Sequence, residues 1–81
     1  MNFIFPRIIS KKSERQQIEK IKEEVTEFLF EVEPKDKDLE ALDIYHAAET
    51  LLRIRFEGRE EQLDNLILNV IEKNTKRGKY L

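Results

Sequence analysis

Residues 13–32 read SERQQIEKIKEEVTEFLFEV, and their pattern gives the clearest indication of the fold class. Its apolar side chains recur at intervals of three and four residues, which is the period of one helix face: Ile18, Ile21, Val25, Phe28, Leu29 and Val32. Ser13 followed by Gln16 matches a capping box, in which each side chain bonds the backbone N–H of the other residue. The stretch therefore predicts an amphipathic α-helix that begins next to Ser13.

Residues 33–38 follow this helix and are charged and proline-containing. We expect a short loop here, because Pro34 interrupts a helical pattern and Asp36 or Asp38 can cap the next helix. The second helix should span residues 39–56. It carries apolar residues on more than one face, which is typical of a helix in the middle of a bundle.

Gly58 separates the second helix from a third apolar stripe, which consists of Leu63, Leu66, Ile67, Val70 and Ile71. This helix should end near Arg77 and Gly78, because glycine readily terminates helices. Three amphipathic helices joined by short loops predict an all-α antiparallel bundle of about three helices per chain. A chain of 81 residues encloses only a thin core, so we expect a homodimer or homotetramer to complete the bundle.

The chain divides into an N-terminal arm, residues 1–12, and a helical domain, residues 13–81. Pro6 and Arg7 interrupt the apolar arm, so it matches neither a membrane span nor a signal peptide, and we expect no membrane partner. The absence of cysteine is natural in a reducing cytoplasm, where we expect the protein to reside. A net charge of −2 gives no global attraction to nucleic acid, which argues against that class of partner.

Four carboxylates form two pairs with the same spacing. Glu24 and Glu27 lie three residues apart on the first helix, and Glu40 and Asp43 repeat this spacing on the second. In an antiparallel helix pair the two sets can converge. Such a cluster favours a hard divalent cation, namely magnesium, manganese or calcium rather than zinc. We expect Mg²⁺, with Mn²⁺ as the alternative, because Mg²⁺ commonly binds carboxylates, waters and substrate phosphates together. The competing interpretation is that the pairs are ordinary solvated helix surface.

Three motifs follow one another in a recognisable order. Residues 24–27 read E-V-T-E, residues 40–43 read E-A-L-D after twelve intervening positions, and residues 73–78 read K-N-T-K-R-G. This order resembles the MazG-like, all-α nucleoside triphosphate pyrophosphohydrolases, whose signature is E-x-x-E, a spacer and E-x-x-D, with a terminal K-N-x-x-R-G segment. The resemblance covers roughly residues 14–80 and is closest to the short phage and prophage members.

The resemblance implies cleavage of a nucleoside triphosphate between its α- and β-phosphates, which gives a nucleoside monophosphate and pyrophosphate. It also implies which residues would hold Mg²⁺, namely Glu24, Glu27, Glu40 and Asp43. Such an ion clamps phosphate oxygens, offsets developing negative charge and helps to activate a water molecule.

Two further groups of residues take roles from the resemblance. Glu23 and Glu24 are the candidate catalytic residues, with Glu23 ligating a second metal ion or orienting the attacking water. Lys73 and Arg77, four residues apart, would contact the phosphates, and Asn74 would bond sugar or phosphate. For the basic residues, the alternative is a helix end that complements the helix dipole.

Other functions stay open at this point. A phosphoribosyl-ATP pyrophosphohydrolase or a helical dUTPase would use the same metal chemistry. A non-catalytic helical dimerisation or regulatory module is the competing class, in which the acids are only surface. We expect His46, the single histidine, to be packed rather than to act as a general base, and Glu49 to pair with Arg53 at i,i+4.

Overall fold

The computed structural model describes residues 1–9 and 11–80, so that Ser10 of the arm and Leu81 at the end of the helical domain lie outside the described residues. The described chain consists of three helices, α1 (Glu14–Phe30), α2 (Pro34–Arg55) and α3 (Glu60–Lys76), with no strand. The predicted all-α class and number of helices are therefore confirmed. No helix in this part of the chain is both long and apolar enough to cross a membrane.

The start of α1 is fixed by the predicted capping box. The Gln16 backbone N–H donates to Ser13 Oγ at 3.1 Å, and the Ser13 N–H donates to Gln16 Oε1 at 2.9 Å. These two bonds satisfy donors that the first turn of a helix otherwise leaves free. The capping box was thus predicted from sequence and is confirmed by the structure.

The start of α2 differs from the prediction. The helix begins at Pro34, five positions before the expected residue 39, with Glu33 as its N-cap residue and no side-chain cap. Proline is well accommodated in the first turn, because its fixed φ angle suits a helix and its missing N–H would have no intrahelical acceptor there. Pro34 therefore initiates α2, and the predicted loop is reduced to residues 31–33.

α1 and α2 form an antiparallel pair. Gln17, buried near the start of α1, donates from Nε2 to the Ala47 carbonyl oxygen at 2.9 Å, in the second half of α2. At the other end, Lys37 Nζ donates to the Phe28 carbonyl oxygen at 3.1 Å. Since early residues of one helix meet late residues of the other, the carboxylate pairs of the two helices lie side by side.

The N-terminal arm packs against α2. The Glu49 carboxylate accepts the Ile4 backbone N–H at 2.8 Å and the Phe5 N–H at 2.9 Å. Arg53 Nη2 donates to the Phe5 carbonyl oxygen at 2.8 Å, and its guanidinium carbon lies 4.4 Å from the centre of the Phe3 ring. The predicted Glu49–Arg53 ion pair is therefore wrong, because both side chains turn to the backbone of the arm, whose unpaired polar groups need partners.

α3 is attached to the rest of the chain mainly at its beginning. Leu63 is buried there, and the α-amino group of Met1 lies 2.5 Å from the Asp64 carboxylate. Beyond this point the predicted apolar stripe is largely exposed, at Leu66, Val70 and Ile71. Within the described chain, the extensive helix–helix contact is the one between α1 and α2.

Candidate metal centre

Carboxylates from α1 and α2 converge where the two helices run side by side. One oxygen each from Glu24, Glu40 and Asp43 lies within 4.8 Å of the other two. Glu24 is buried, Glu40 is half-buried and Asp43 is exposed. The cluster therefore starts in the helix interface and opens to solvent on one side, as a site that admits both an ion and a substrate requires.

Two oxygen atoms of this cluster lack any hydrogen-bond partner. Oε2 of Glu24 and Oε2 of Glu40 are both buried and unpaired, and Glu24 as a whole is only 7% exposed. A buried carboxylate oxygen without a donor is unfavourable, because it has lost water and gained nothing in return. An all-oxygen, anionic donor set with unsatisfied atoms fits Mg²⁺ or Mn²⁺.

The pKa of Glu40 also indicates that the cluster lacks a compensating positive charge. Its burial raises the pKa of the carboxyl group, and the neighbouring carboxylates of Glu27, Asp43 and Glu24 raise it further. Each cause disfavours the charged form of Glu40. A divalent cation would reverse this balance, since it stabilises the ionised carboxylates that surround it.

The two remaining acids of the predicted site lie at the edge of this group. Glu27 is close enough to hydrogen-bond Glu40 and to raise its pKa, but it lies outside the three-oxygen group. Glu23 is exposed, and its nearest charged partner is Lys20 Nζ at 3.8 Å. The structure thus brings Glu24, Glu40 and Asp43 together, places Glu27 next to them and leaves Glu23 at the solvent-facing rim.

Lys20 is the residue at this site that the sequence analysis missed. Its Nζ lies 2.8 Å from Glu24 Oε1, and its hydrogen bond to Glu24 raises the pKa of the Lys20 ammonium despite partial desolvation. The signal was present in the sequence, because Lys20 and Glu24 are four residues apart on one helix. Lys20 partly neutralises the cluster and would compete with a metal ion for Glu24.

Replacing Lys20 by glutamine should therefore strengthen Mg²⁺ binding, by several-fold to about tenfold, because one nearby positive charge is removed. Isothermal titration calorimetry with MgCl₂ at neutral pH measures this. Lys22→Gln is the matched control, since Lys22 pairs with Glu19 on the exposed surface. Unchanged or weaker Mg²⁺ affinity in Lys20→Gln would show that Lys20 does not compete with the ion.

A cavity of about 250 Å³ adjoins the cluster. Its wall includes Lys20, Glu24 and Asp43 from the cluster, together with His46 from α2 and Lys12 from the arm. The His46 ring stacks on Phe5 with 4.5 Å between ring centres, and its Nε2 is buried without a partner. His46 is packed, as predicted, although it also forms part of this wall.

The predicted substrate-binding residues lie elsewhere, at the end of α3. Asn74 Nδ2 donates to the Tyr80 hydroxyl at 3.2 Å, and the Arg77 backbone N–H donates to the Lys73 carbonyl oxygen at 3.2 Å. No hydrogen bond or ion pair in the described structure joins these residues to the acidic cluster. Their contact with phosphate stays a prediction.

Comparison of the chain with protein-family models, with curated proteins and with solved structures finds no match. The fold and the site together define a small all-α protein with a carboxylate cluster between two antiparallel helices. Any more specific function has to be inferred from the chemistry of these residues.

Proposed function

We propose that this protein is a Mg²⁺-dependent nucleoside triphosphate pyrophosphohydrolase, which cleaves between the α- and β-phosphates to release a nucleoside monophosphate and pyrophosphate. The observation that carries the proposal is the convergence of Glu24, Glu40 and Asp43, with two buried oxygen atoms left unpaired. The resemblance of the motif order to the MazG-like enzymes supplies the substrate class. Such a substrate places the activity in the cytoplasm.

In this proposal, different acidic residues of the chain have different roles in the reaction. Glu24, Glu40 and Asp43 would hold the ion, and the neighbouring Glu27 carboxylate would add negative charge beside it. When bound, Mg²⁺, or Mn²⁺ in its place, polarises phosphate oxygens and lowers the pKa of water. Glu23, exposed at the rim, is positioned to orient a water molecule that enters from solvent, while buried Glu24 fixes the ion.

Pyrophosphate release from a panel of canonical and modified nucleoside triphosphates, with MgCl₂ or with EDTA, tests the proposal. We expect release that requires the metal. Including dUTP and phosphoribosyl-ATP separates the general pyrophosphohydrolase from the two more specialised enzymes with the same metal chemistry. Absence of release from every substrate, together with absence of Mg²⁺ binding by calorimetry, would leave a helical interaction module as the function.

We also propose that two or more copies of the chain associate, as a homodimer or homotetramer. Leu63, at the start of the α3 stripe, is buried, whereas Leu66 is 48% and Val70 is 49% exposed. On α2, Leu39 and Leu42 are more than half exposed. An apolar helix face that is covered at one end only is typical of an interface completed by another subunit.

The double substitution Leu66→Asp with Val70→Asp should convert the oligomer to a monomer without loss of α1 and α2, because charges on the α3 stripe would have to be desolvated on association. Light scattering coupled to size-exclusion chromatography measures the mass, and circular dichroism measures the helix content. Asn69→Asp adds a charge next to the stripe and serves as the control. A wild-type protein that is monomeric at all concentrations would contradict the proposal.

A further inference from the structure

A second, larger cavity lies between the N-terminal arm and α2. Its volume is about 670 Å³, within the range of small-molecule binding sites, which is roughly 300–1,000 Å³. Its wall contains four basic side chains and one acid: Arg7, Lys11, Lys12, Arg53 and Glu57. Apolar side chains of the arm and of α2, Ile8 and Ile54 among them, complete it. The chain is acidic overall, so this concentration of positive charge is local.

This wall carries more positive than negative charge, even when Glu49, which lies outside the lining and interacts with the charge of Arg53, is included. Cations brought together repel one another unless anions accompany them, and Glu57 is the single acid in the described lining. Arg53 is held by its bond from Nη2 to the Phe5 carbonyl oxygen and by the Phe3 ring. Its Nη1 is buried and has no acceptor. A guanidinium held in this way beside other cations is suited to bind an anion.

The basic cavity adjoins the smaller cavity beside the acidic cluster. Ile8, Lys12 and Thr50 line both this cavity and the smaller one beside Glu24 and Asp43. A ligand that extends from the acidic cluster toward the C-terminal half of α2 would therefore pass Lys12 and reach Lys11 and Arg53. An elongated chain of phosphates has both the charge and the shape for such a path.

We propose that the basic cavity between the arm and α2 binds the polyphosphate chain of a nucleotide, and that the arm rather than the end of α3 supplies the phosphate-binding cations. The nucleoside part of this assignment rests on the proposed function, whereas the oligophosphate part rests on the cavity itself. Lys11 and Lys12 contribute mobile ammonium groups, and Arg53 contributes a fixed guanidinium. The arm thus acts as part of the binding site.

Calorimetric titration with inorganic tripolyphosphate in EDTA tests the cavity without the metal centre or turnover. The double variant Lys11→Gln with Lys12→Gln should raise the dissociation constant about tenfold or more, since hydrogen bonds from charged donors are lost. Both residues are exposed, so the fold should persist. Lys22→Gln with Lys35→Gln makes the same charge change on exposed helix surface and should alter the constant less than twofold.

A second double variant, Lys73→Gln with Arg77→Gln, tests the rival site. If it abolishes tripolyphosphate binding while Lys11→Gln with Lys12→Gln binds normally, the inference is overturned. Binding of a single-stranded oligonucleotide without binding of tripolyphosphate overturns it too. If tripolyphosphate binding depends on Lys11 and Lys12 but the protein releases no pyrophosphate, the basic cavity is supported as a binding site and only the proposed hydrolase activity is contradicted. If the protein releases pyrophosphate and the Lys11 and Lys12 substitutions leave the KM unchanged, the hydrolase activity is supported and the role of the basic cavity is contradicted.

Discussion

Replacing Glu40 by glutamine should abolish Mg²⁺-dependent pyrophosphate release and, at the same time, raise the melting temperature of the metal-free protein. The loss of activity, by about a hundredfold or more, follows from removing one anionic ligand of the proposed ion. The gain in stability follows from the unfavourable surroundings of Glu40, where burial and the charges of Glu27, Asp43 and Glu24 raise its pKa. Glutamine has a similar shape and no charge to desolvate.

The pH dependence of this effect has a defined sign. Because the pKa of Glu40 is higher in the folded than in the unfolded protein, the folded state binds more protons between these two values. The ionised carboxylate therefore opposes folding above its raised pKa, and this penalty disappears as the pH falls below the ordinary value for glutamate. The stabilisation by Glu40→Gln should be greatest above the raised pKa of Glu40 and should disappear as the pH falls below about 4.

Thermal melts followed by circular dichroism, in EDTA and in MgCl₂, measure both sides of this prediction. A hundredfold excess of Mg²⁺ over its dissociation constant should stabilise the wild type by about 2.7 kcal/mol, which raises the melting temperature by roughly 10–20 °C in a chain of this size. Glu40→Gln should respond much less. Glu61→Gln, on the exposed first turn of α3, is the control. Equal responses of the wild type and Glu40→Gln to Mg²⁺ would rule out an ion at this cluster.

Replacing Glu49 by glutamine should detach the N-terminal arm and lower the melting temperature by roughly 10 °C. The Glu49 carboxylate receives two backbone N–H groups from the arm, one on each oxygen. Glutamine retains a single oxygen and turns its NH₂ group toward one of these donors, which leaves one N–H of the arm without its acceptor. Glu49 is only 2% exposed, so water cannot readily replace the lost bond.

The effect of Glu49→Gln should depend on pH in the opposite sense to that of Glu40→Gln. Burial alone would raise the pKa of Glu49, but the N–H groups of Ile4 and Phe5, with the charges of Arg53 and His46, outweigh burial and lower it. A lowered folded pKa gives stability that is present above the ordinary glutamate value and is lost as the pH falls through the folded value. The difference between the wild type and Glu49→Gln should therefore be large at pH 7 and shrink below pH 4.

Limited proteolysis and melting curves distinguish arm detachment from general unfolding. Glu49→Gln should expose the arm to cleavage at Arg7 or Lys11 while α1 and α2 keep their helical signal. It should also weaken tripolyphosphate binding, since the basic cavity has the arm as one wall. Glu61→Gln should show neither change. An arm as protected in Glu49→Gln as in the wild type would contradict the role given to Glu49.

Local patterns in the sequence predicted much of the helical framework. The Ser13–Gln16 capping box and the glycine that ends α3 act within a few residues, and each was found where expected. The apolar periods predicted the helices, but the stripe residues Val25 and Leu29 of α1 are exposed, and the buried residues of α1 are Gln17 and Glu24. Gly58 and Gly78 both have positive φ angles, 73° and 69°, which glycine adopts without the strain that a Cβ atom would introduce. The start of α2 was missed because proline stops a helix in its interior but favours its first turn.

The acidic site was predicted in part because it too depends on local spacing along the helices. The i,i+3 spacing placed each carboxylate pair on one helix face. The antiparallel pairing of α1 and α2 then brought Glu24, Glu40 and Asp43 together. The rotation of each helix about its own axis decides which of the four predicted carboxylates lie closest together. Packing of one whole helix against another sets this rotation, so the position of Glu27 beside the group rather than within it could not be derived from spacing.

The number of helices, their order and the convergence of acids between α1 and α2 could be predicted from the sequence, because these features depend on short-range periodicity and on one short connection. Only the tertiary structure decided what the arm does. Glu49 and the backbone of Ile4 and Phe5 are more than forty residues apart along the chain, and no spacing rule links them. The bonds form because the arm's unpaired backbone donors and a buried carboxylate satisfy one another, and a contact of that kind exists only once α2 has folded.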